Sequence, residues 1–190
     1  MQRCGEHRQR AGRSTNALGT IFEQLTGRAA FGAFKTGIAE PLEMEDFRLE
    51  DGTYFRGPES VHPAYPFRMT ARDMARFGLL FLRDGQWRGR EIVPGAWVEE
   101  STRMHSAALG QWGGYGYLWW VAERGPHFPS AWFTDRVFSA RGNGGHFIVV
   151  VPSVKLVVVH RVDTDRPRRE VTDSQFGHLM QLILDAAPRR

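Results

Sequence analysis

Gly142-Asn143-Gly144-Gly145-His146-Phe147-Ile148-Val149-Val150-Val151-Pro152-Ser153-Val154-Lys155-Leu156-Val157-Val158-Val159 is the stretch whose reading decides the fold. Two apolar, β-branched runs, His146–Val151 and Leu156–Val162, flank the four residues Pro152–Lys155. That spacing predicts an antiparallel hairpin closed by a tight turn. Both runs are apolar at odd and even positions alike, the composition of central strands covered by helices on both faces.

Outward from the hairpin, Tyr115 to Val121 and Arg136 to Ala140 read as further strands. The final helix, Asp173 to Ala187, places Phe176, Leu179, Met180, Ile183 and Leu184 on one face. Upstream, Thr70 caps a strong helix in which Asp73 stands where a capping box needs it, and Met74, Phe77, Leu80 and Phe81 form the buried stripe. Asp84-Gly85 and Arg88-Gly89 turn the chain, and Pro94 opens a short helix carrying Trp97 and Val98. Near the start, Asn16 to Leu25 reads as a helix with Leu18, Ile21, Phe22 and Leu25 on one face and Gly27 at its end. A second helical stretch with Phe31, Phe34 and Ile38 stops at Pro41, and residues 48–66 read as an extended loop. Strands, a hairpin and a closing helix make an α/β (α+β) fold, an antiparallel sheet flanked by helices, with no internal repeat.

The 190 residues suffice for one domain with a real core, and an apolar fraction of 42% with six tryptophans excludes a disordered chain. One cysteine, Cys4, excludes an internal disulfide and a cysteine-based zinc site. No run approaches the ~18 apolar residues of a membrane span. The basic segment at residues 1–13 is followed by no apolar core, so no signal peptide is read and the chain as given is expected in the cytoplasm. The net charge of +4 comes from that segment and from Arg189 and Arg190, leaving no basic face on the body for nucleic acid. The excess of arginine over lysine reflects a GC-rich coding sequence.

Two tracts carry a family resemblance. One is Phe67-Arg68-Met69-Thr70-Ala71-Arg72-Asp73-Met74-Ala75-Arg76-Phe77-Gly78, continuing through Asp84-Gly85-Gln86-Trp87 and Ile92-Val93-Pro94 to Ser101. The other is Gly142 to Phe147 with the hairpin that follows. In this order and spacing they resemble the C-terminal part of the β-lactamase-related serine hydrolases: class C β-lactamases, penicillin-binding carboxypeptidases and esterases of one fold. The tract from Asn16-Ala17-Leu18-Gly19 through Thr26-Gly27 to Pro41-Leu42-Glu43-Met44 resembles it too, with glutamate at position 43 where glycine is usual. The resemblance implies a β-lactamase/transpeptidase-like fold of which only the C-terminal part is here, residues 16–187. Residues 1–15 read as an unrelated arginine-rich leader, and residues 188–190 as a tail.

It also implies a site built from three elements: a Ser-x-x-Lys pair, a Tyr-x-Asn-like triplet, and a strand bordering the substrate. The first is absent. The lysine must lie three residues after the serine to reach its hydroxyl from the same helix face. Neither Lys35 nor Lys155 stands so to any of the eight serines. No Gly-x-Ser-x-Gly elbow replaces it. The triplet should precede Asn16, yet all four tyrosines lie downstream. The third element is expected at Asn143, Gly144, Gly145 and His146, the substrate-binding candidates, where backbone approaches a substrate closely. A glycine-rich turn that only permits tight packing is the other reading. No catalytic residue is assigned.

Lys35-Thr36-Gly37 spells the family's strand triplet but sits at a helix end, far from the expected strand. His146 and His160 read as structural histidines; Trp112, Trp119, Trp120 and Trp132 either line an apolar pocket or pack in the core. No metal-binding spacing and no cofactor motif is present. The expectation is therefore a hydrolase fragment that cannot turn over an ester, amide or β-lactam by itself, or else a non-catalytic binding module. Without its missing half, the 146–162 hairpin and the 70–82 helix should expose apolar surface and favour self-association.

Overall fold

The structure, a computed structural model, describes residues 15–58, 60–107, 113–166 and 169–187. They fall into two compact units, one up to Asp73 and one from Met74 onward; residues 1–14 of the expected leader, the tail at 188–190 and Trp112 lie outside the described residues.

In the first unit, residues 15–26 form helix α1. Gly27 ends it at φ 66°, its N–H bonded to the Glu23 carbonyl at 2.8 Å. Helix α2 (Ala30–Phe34) widens into a π-turn at Lys35–Ala39, so Lys35-Thr36-Gly37 is helical and belongs to no strand. Phe31, Phe34, Phe47, Tyr54 and Phe67 pack edge to face or tilted, with ring centroids 4.7–5.0 Å apart. Glu43 sits at φ 54°, the left-handed conformation that explains why glycine is usual there. Residues 48–66 are more ordered than a loop: a 3₁₀ turn at Leu49–Asp51 precedes a two-stranded ribbon, β1 (Phe55–Gly57) and β2 (Ser60–Ala64). Thr70 caps helix α3 (Ala71–Leu82) as the sequence predicts, accepting the Asp73 N–H at 3.3 Å. The buried Asp73 carboxylate accepts the N–H groups of Glu45 and Asp46, both at 3.2 Å.

The second unit holds most of α3 and a two-residue ribbon, β3 (Gln86–Trp87) with β4 (Arg90–Glu91), joined by Arg88-Gly89 at φ 47° and 78°. Both positive angles match the twist of a two-residue hairpin turn. Helix α4 (Gly95–Ser101) follows Pro94. The strands are β5 (Ser106–Ala107), β6 (Gly114–Tyr115), β7 (Trp120–Ala122), β8 (Gly125–Phe128), β9 (Ala131–Phe133), β10 (Val137–Gly142), β11 (His146–Val151) and β12 (Leu156–His160). Six of them make one antiparallel sheet in the order β12-β11-β10-β7-β6-β5, while β8 and β9 form a separate ribbon. Helix α5 (Asp173–Ala186) closes the chain behind a complete capping box of Thr172 and Gln175.

Period-two alternation sorts the hairpin onto two cores. Phe147, Val149 and Val151, with Leu156 and Val158, face Phe176 and Met180 of α5 and the β8–β9 ribbon. Ile148 and Val150, with Val157 and Val159, face Phe81 of α3 and Val98 of α4. The expected hairpin is present in antiparallel register, Val151 opposite Leu156 and Phe147 opposite His160.

Three expectations need correction. The strand expected at Tyr115 to Val121 is two strands, β6 and β7, because Gly116 and Leu118 (φ 65°) turn the chain between them. The second hairpin strand is not central: β12 is the outer strand of the sheet among the described residues, half-buried along its whole length. Apolar exposure also falls elsewhere than expected. Leu80 and Phe81 of α3 and nearly all of β11 are buried, and within the hairpin only the turn residue Val154 is among the exposed large apolar residues; the others include Leu18, Ile21, Phe22 and Leu25 of α1 and Leu179 and Leu182 of α5. No helix among the described residues is long and apolar enough to cross a membrane.

Candidate functional site

The four expected substrate-binding residues form the link between β10 and β11. Asn143, Gly144 and Gly145 are the turn, and His146 opens β11 opposite Gly142. Gly144 and Gly145 lie at φ 75° and 103°, which side chains rarely adopt. The two glycines are buried. A Cβ on Gly144 would stand 2.4 Å from Thr164 Cγ2, and one on Gly145 2.6 Å from the Val171 carbonyl oxygen. The space their missing side chains leave is thus filled by the strap that leads into α5. The turn's backbone is held from both sides. Val171 N–H donates to the Gly144 carbonyl at 3.0 Å, and His160 Nδ1 lies 2.7 Å from the Gly145 carbonyl. A carbonyl only accepts, so Nδ1 of His160 carries the proton. Asn143 is exposed and His146 half-buried, so these two side chains reach solvent. Burial first, then the charges of Arg161 and His160, hold the His146 imidazole below its usual pKa. A neutral imidazole and an amide on a fixed turn can orient a polar group by hydrogen bonding.

A second polar cluster, which no motif in the sequence marks, lies one step back along β10. His127 on β8 places Nε2 2.8 Å from Ser139 Oγ on β10. Arg141 Nε donates to the same oxygen at 3.0 Å, and its Nη2 donates to the His127 carbonyl at 2.5 Å. The guanidinium lies 4.1 Å from the Phe128 ring centroid and 4.9 Å from that of Trp120, with Asp173 of α5 at 3.7 Å. The Ser139–His127 distance is that of a nucleophile and its base. Both residues are wholly buried, however, and Arg141 occupies the hydroxyl oxygen. Burial, reinforced by Arg141, pushes the His127 pKa well below the usual value, so the ring is neutral. The cluster therefore clamps β8 to β10 and is closed to any substrate. Twelve residues on two non-neighbouring strands separate His127 from Ser139, and no sequence spacing reports such a pair.

The remaining candidates disperse. Trp119 is buried against Phe77, Phe81 and Phe138, Trp120 lies under Arg141, and Trp132 is exposed, so these three line no common pocket. A cleft of ≈ 990 Å³ opens by Phe81, Val98, Phe138 and Lys155, at the opposite end of β11 from His146. Among the described residues no group of three His, Cys, Asp or Glu side chains is placed to hold a metal.

The Beta-lactamase family profile matches residues 13–179. A solved structure bearing the name of a 6-aminohexanoate-dimer hydrolase from Bacillus anthracis is similar at a TM-score of 0.63 and 23% identity, over 93% of this chain and 44% of that one. The chain thus spans less than half the length of that neighbour. None of the curated proteins matches. A profile match across most of the chain, on a six-stranded antiparallel sheet with helices on both faces, places this chain in the beta-lactamase family.

Proposed function

We propose that this chain is the C-terminal part of a β-lactamase-related serine hydrolase, supplying one wall of the substrate pocket through Asn143 to His146 and unable to turn over substrate alone. The parent reaction is acyl transfer to water from an ester, amide or β-lactam through an acyl-serine. The linear amide in the neighbour's name makes amides the first class to try.

The observation that carries this reading is that, among the described residues, no serine has a base it can use. Neither Lys35 nor Lys155 follows a serine by three residues. Among the described residues the one serine hydrogen-bonded to a histidine side chain, Ser139, is sealed under Arg141. Loss of a nucleophile–base pair removes several orders of magnitude in rate. The purified chain should hydrolyse nitrocefin, p-nitrophenyl acetate and a linear aminohexanoate amide at the buffer rate. Turnover accompanied by a covalent fluorophosphonate adduct on any of the eight serines would overturn it.

A binding module is the second reading, favoured by the second unit's closed cores. Phe128, Phe147, Phe176 and Met180 pack there at 0–1% exposure. A cooperative melt with saturable amide binding and no turnover would favour it over the fragment.

A further inference from the structure

The geometry points to the ≈ 990 Å³ cleft lined by Phe81, Val98 and Phe138 as a binding site for an amphiphilic anion, a carboxylate on an unbranched aliphatic chain. The lining lies wholly in the second unit and includes no residue of the candidate wall, so the inference stands whether or not the function proposed above holds.

The first ground is the apolar lining. The volume is that of a small-molecule site. Leu79, Phe81 and Leu82 of α3, Val98 of α4 and Phe138 of β10 face the cleft. Phe81, Val98 and Phe138 are buried members of the core under α3 and α4, and Leu82 packs against them. That wall is therefore fixed before a ligand arrives. It accepts a hydrocarbon chain by removing it from water, and offers no hydrogen bond to orient it.

The second ground is a pair of cations at one end. Phe138 lies opposite Val150 in the β10–β11 pair, and continuing that register by two residues sets Arg136 opposite Pro152, three residues before Lys155. Arg136 is braced from behind. Its Nη2 donates to the Thr102 carbonyl at 2.9 Å and to Thr102 Oγ1 at 2.8 Å, and that hydroxyl donates to the Val98 carbonyl at 2.7 Å. Thr102 is itself buried, so the anchor does not move with solvent. The remainder of the guanidinium is poorly matched: its buried Nε has no acceptor among the described residues, and the Glu123 carboxylate stands 4.0 Å away. Lys155 is exposed on the turn between β11 and β12, and no carboxylate among the described residues pairs with its ammonium. A carboxylate between these two cations would gain charge-assisted hydrogen bonds that the chain does not supply.

The rest of the lining fixes the sign of the ligand. Arg83, Asp84 and Glu99 also face the cleft. Arg83 and Asp84 bring opposite charges to adjacent positions, which leaves Glu99 alone against Arg136 and Lys155. The cleft is cationic on balance and favours an anion over an ammonium of equal chain length.

The probe is decanoate, kept below its micellar concentration and titrated into the full chain by calorimetry, with amide NMR shifts of the labelled chain locating the site. Acetate and decyltrimethylammonium are the controls for tail and for charge. Decanoate should saturate a single site and shift the amides of Val98, Thr102, Phe138 and Lys155, leaving those of Asn143 to His146 in place. Both controls should bind at least about tenfold more weakly. Arg136→Gln should weaken decanoate at least about tenfold and Lys155→Gln about threefold. Because Arg136 also braces Thr102, Lys155→Gln decides the matter if the arginine variant does not fold. The proposal is overturned by an absence of saturable binding, by shifts centred outside the cleft, by equal binding of decyltrimethylammonium, or by a Lys155→Gln chain that binds decanoate as the parent does.

Discussion

Lowering the pH should destabilise this protein through His127, and the size of the effect follows from the ring's surroundings. His127 is wholly buried, bonded to Ser139 Oγ at 2.8 Å, and has the Arg141 guanidinium in its shell. Burial and that cation hold its folded pKa well below the ordinary histidine value near 6.5. The unfolded chain takes up the proton near pH 6.5, whereas the folded chain stays neutral. Below 6.5 the unfolded state therefore binds more protons, and stability present above that pH is lost as the pH falls. For a ring that remains neutral in the fold, linkage makes the loss on the order of 1 kcal/mol by pH 5.5 and negligible at pH 7.5. His127→Gln removes the titration and retains a polar group toward Ser139. The variant is less stable at both pH values, but that offset cancels in the difference between them. His146, whose pKa is also depressed by burial, is common to both proteins and cancels too. Urea unfolding at pH 7.5 and 5.5 should show the parent losing on the order of 1 kcal/mol more than the variant. Equal losses would refute a buried neutral His127.

Helix α5 gives a pair of opposed outcomes. Gly177→Ala would raise helix propensity by about 1 kcal/mol, yet its Cβ would stand 1.7 Å from the Pro129 carbonyl oxygen, a backbone atom that cannot swing away. The variant should lose about 1–3 kcal/mol on balance, read from the urea midpoint. Gly32→Ala in α2, with nothing within 4 Å of its Cβ, should gain up to about 1 kcal/mol in the same assay. Thr172→Ala removes the hydroxyl that accepts Gln175 N–H at 3.2 Å and should cost about 1 kcal/mol; no shift in midpoint would mean the α5 cap is not formed in solution.

What was legible in the sequence was whatever repeats over a long enough run. The β11–β12 hairpin, the stripes of α3 and α5, the cap at Thr70 and the turns at Gly85 and Gly89 each carry several periods or a specific backbone requirement. The β3–β4 and β8–β9 ribbons and the β6–β7 break have strands of two to four residues, too short for alternation to register. The place of β12 at the edge was not legible for another reason: a strand's composition records what its faces touch, not whether a neighbour lies beside it. Likewise the stripe of Leu18, Ile21, Phe22 and Leu25 marks one helix face and does not say what covers it. At the candidate site the glycines located the turn correctly. Their purpose was ambiguous, and the contacts of Gly144 with Thr164 and of Gly145 with Val171 give them a packing role.

That packing bears on how the wall could work. Orientation contributes to catalysis only when the groups that bind substrate are already fixed, since backbone that must first order itself loses the entropy it is meant to save. Around Asn143 to His146 the chain is fixed at every exit. Arg141, two residues before the turn, ties β10 to the His127 carbonyl and sits 3.7 Å from Asp173 of α5. Val171 and His160 take the carbonyls of Gly144 and Gly145. His146 then enters β11, whose next five residues are buried. The two side chains that reach solvent, Asn143 and His146, therefore project from backbone with no freedom to recede. On the function proposed above, what the candidate wall lacks is a Ser-x-x-Lys pair, which the sequence does not contain. A polypeptide that brought such a pair to the wall would meet backbone already in place.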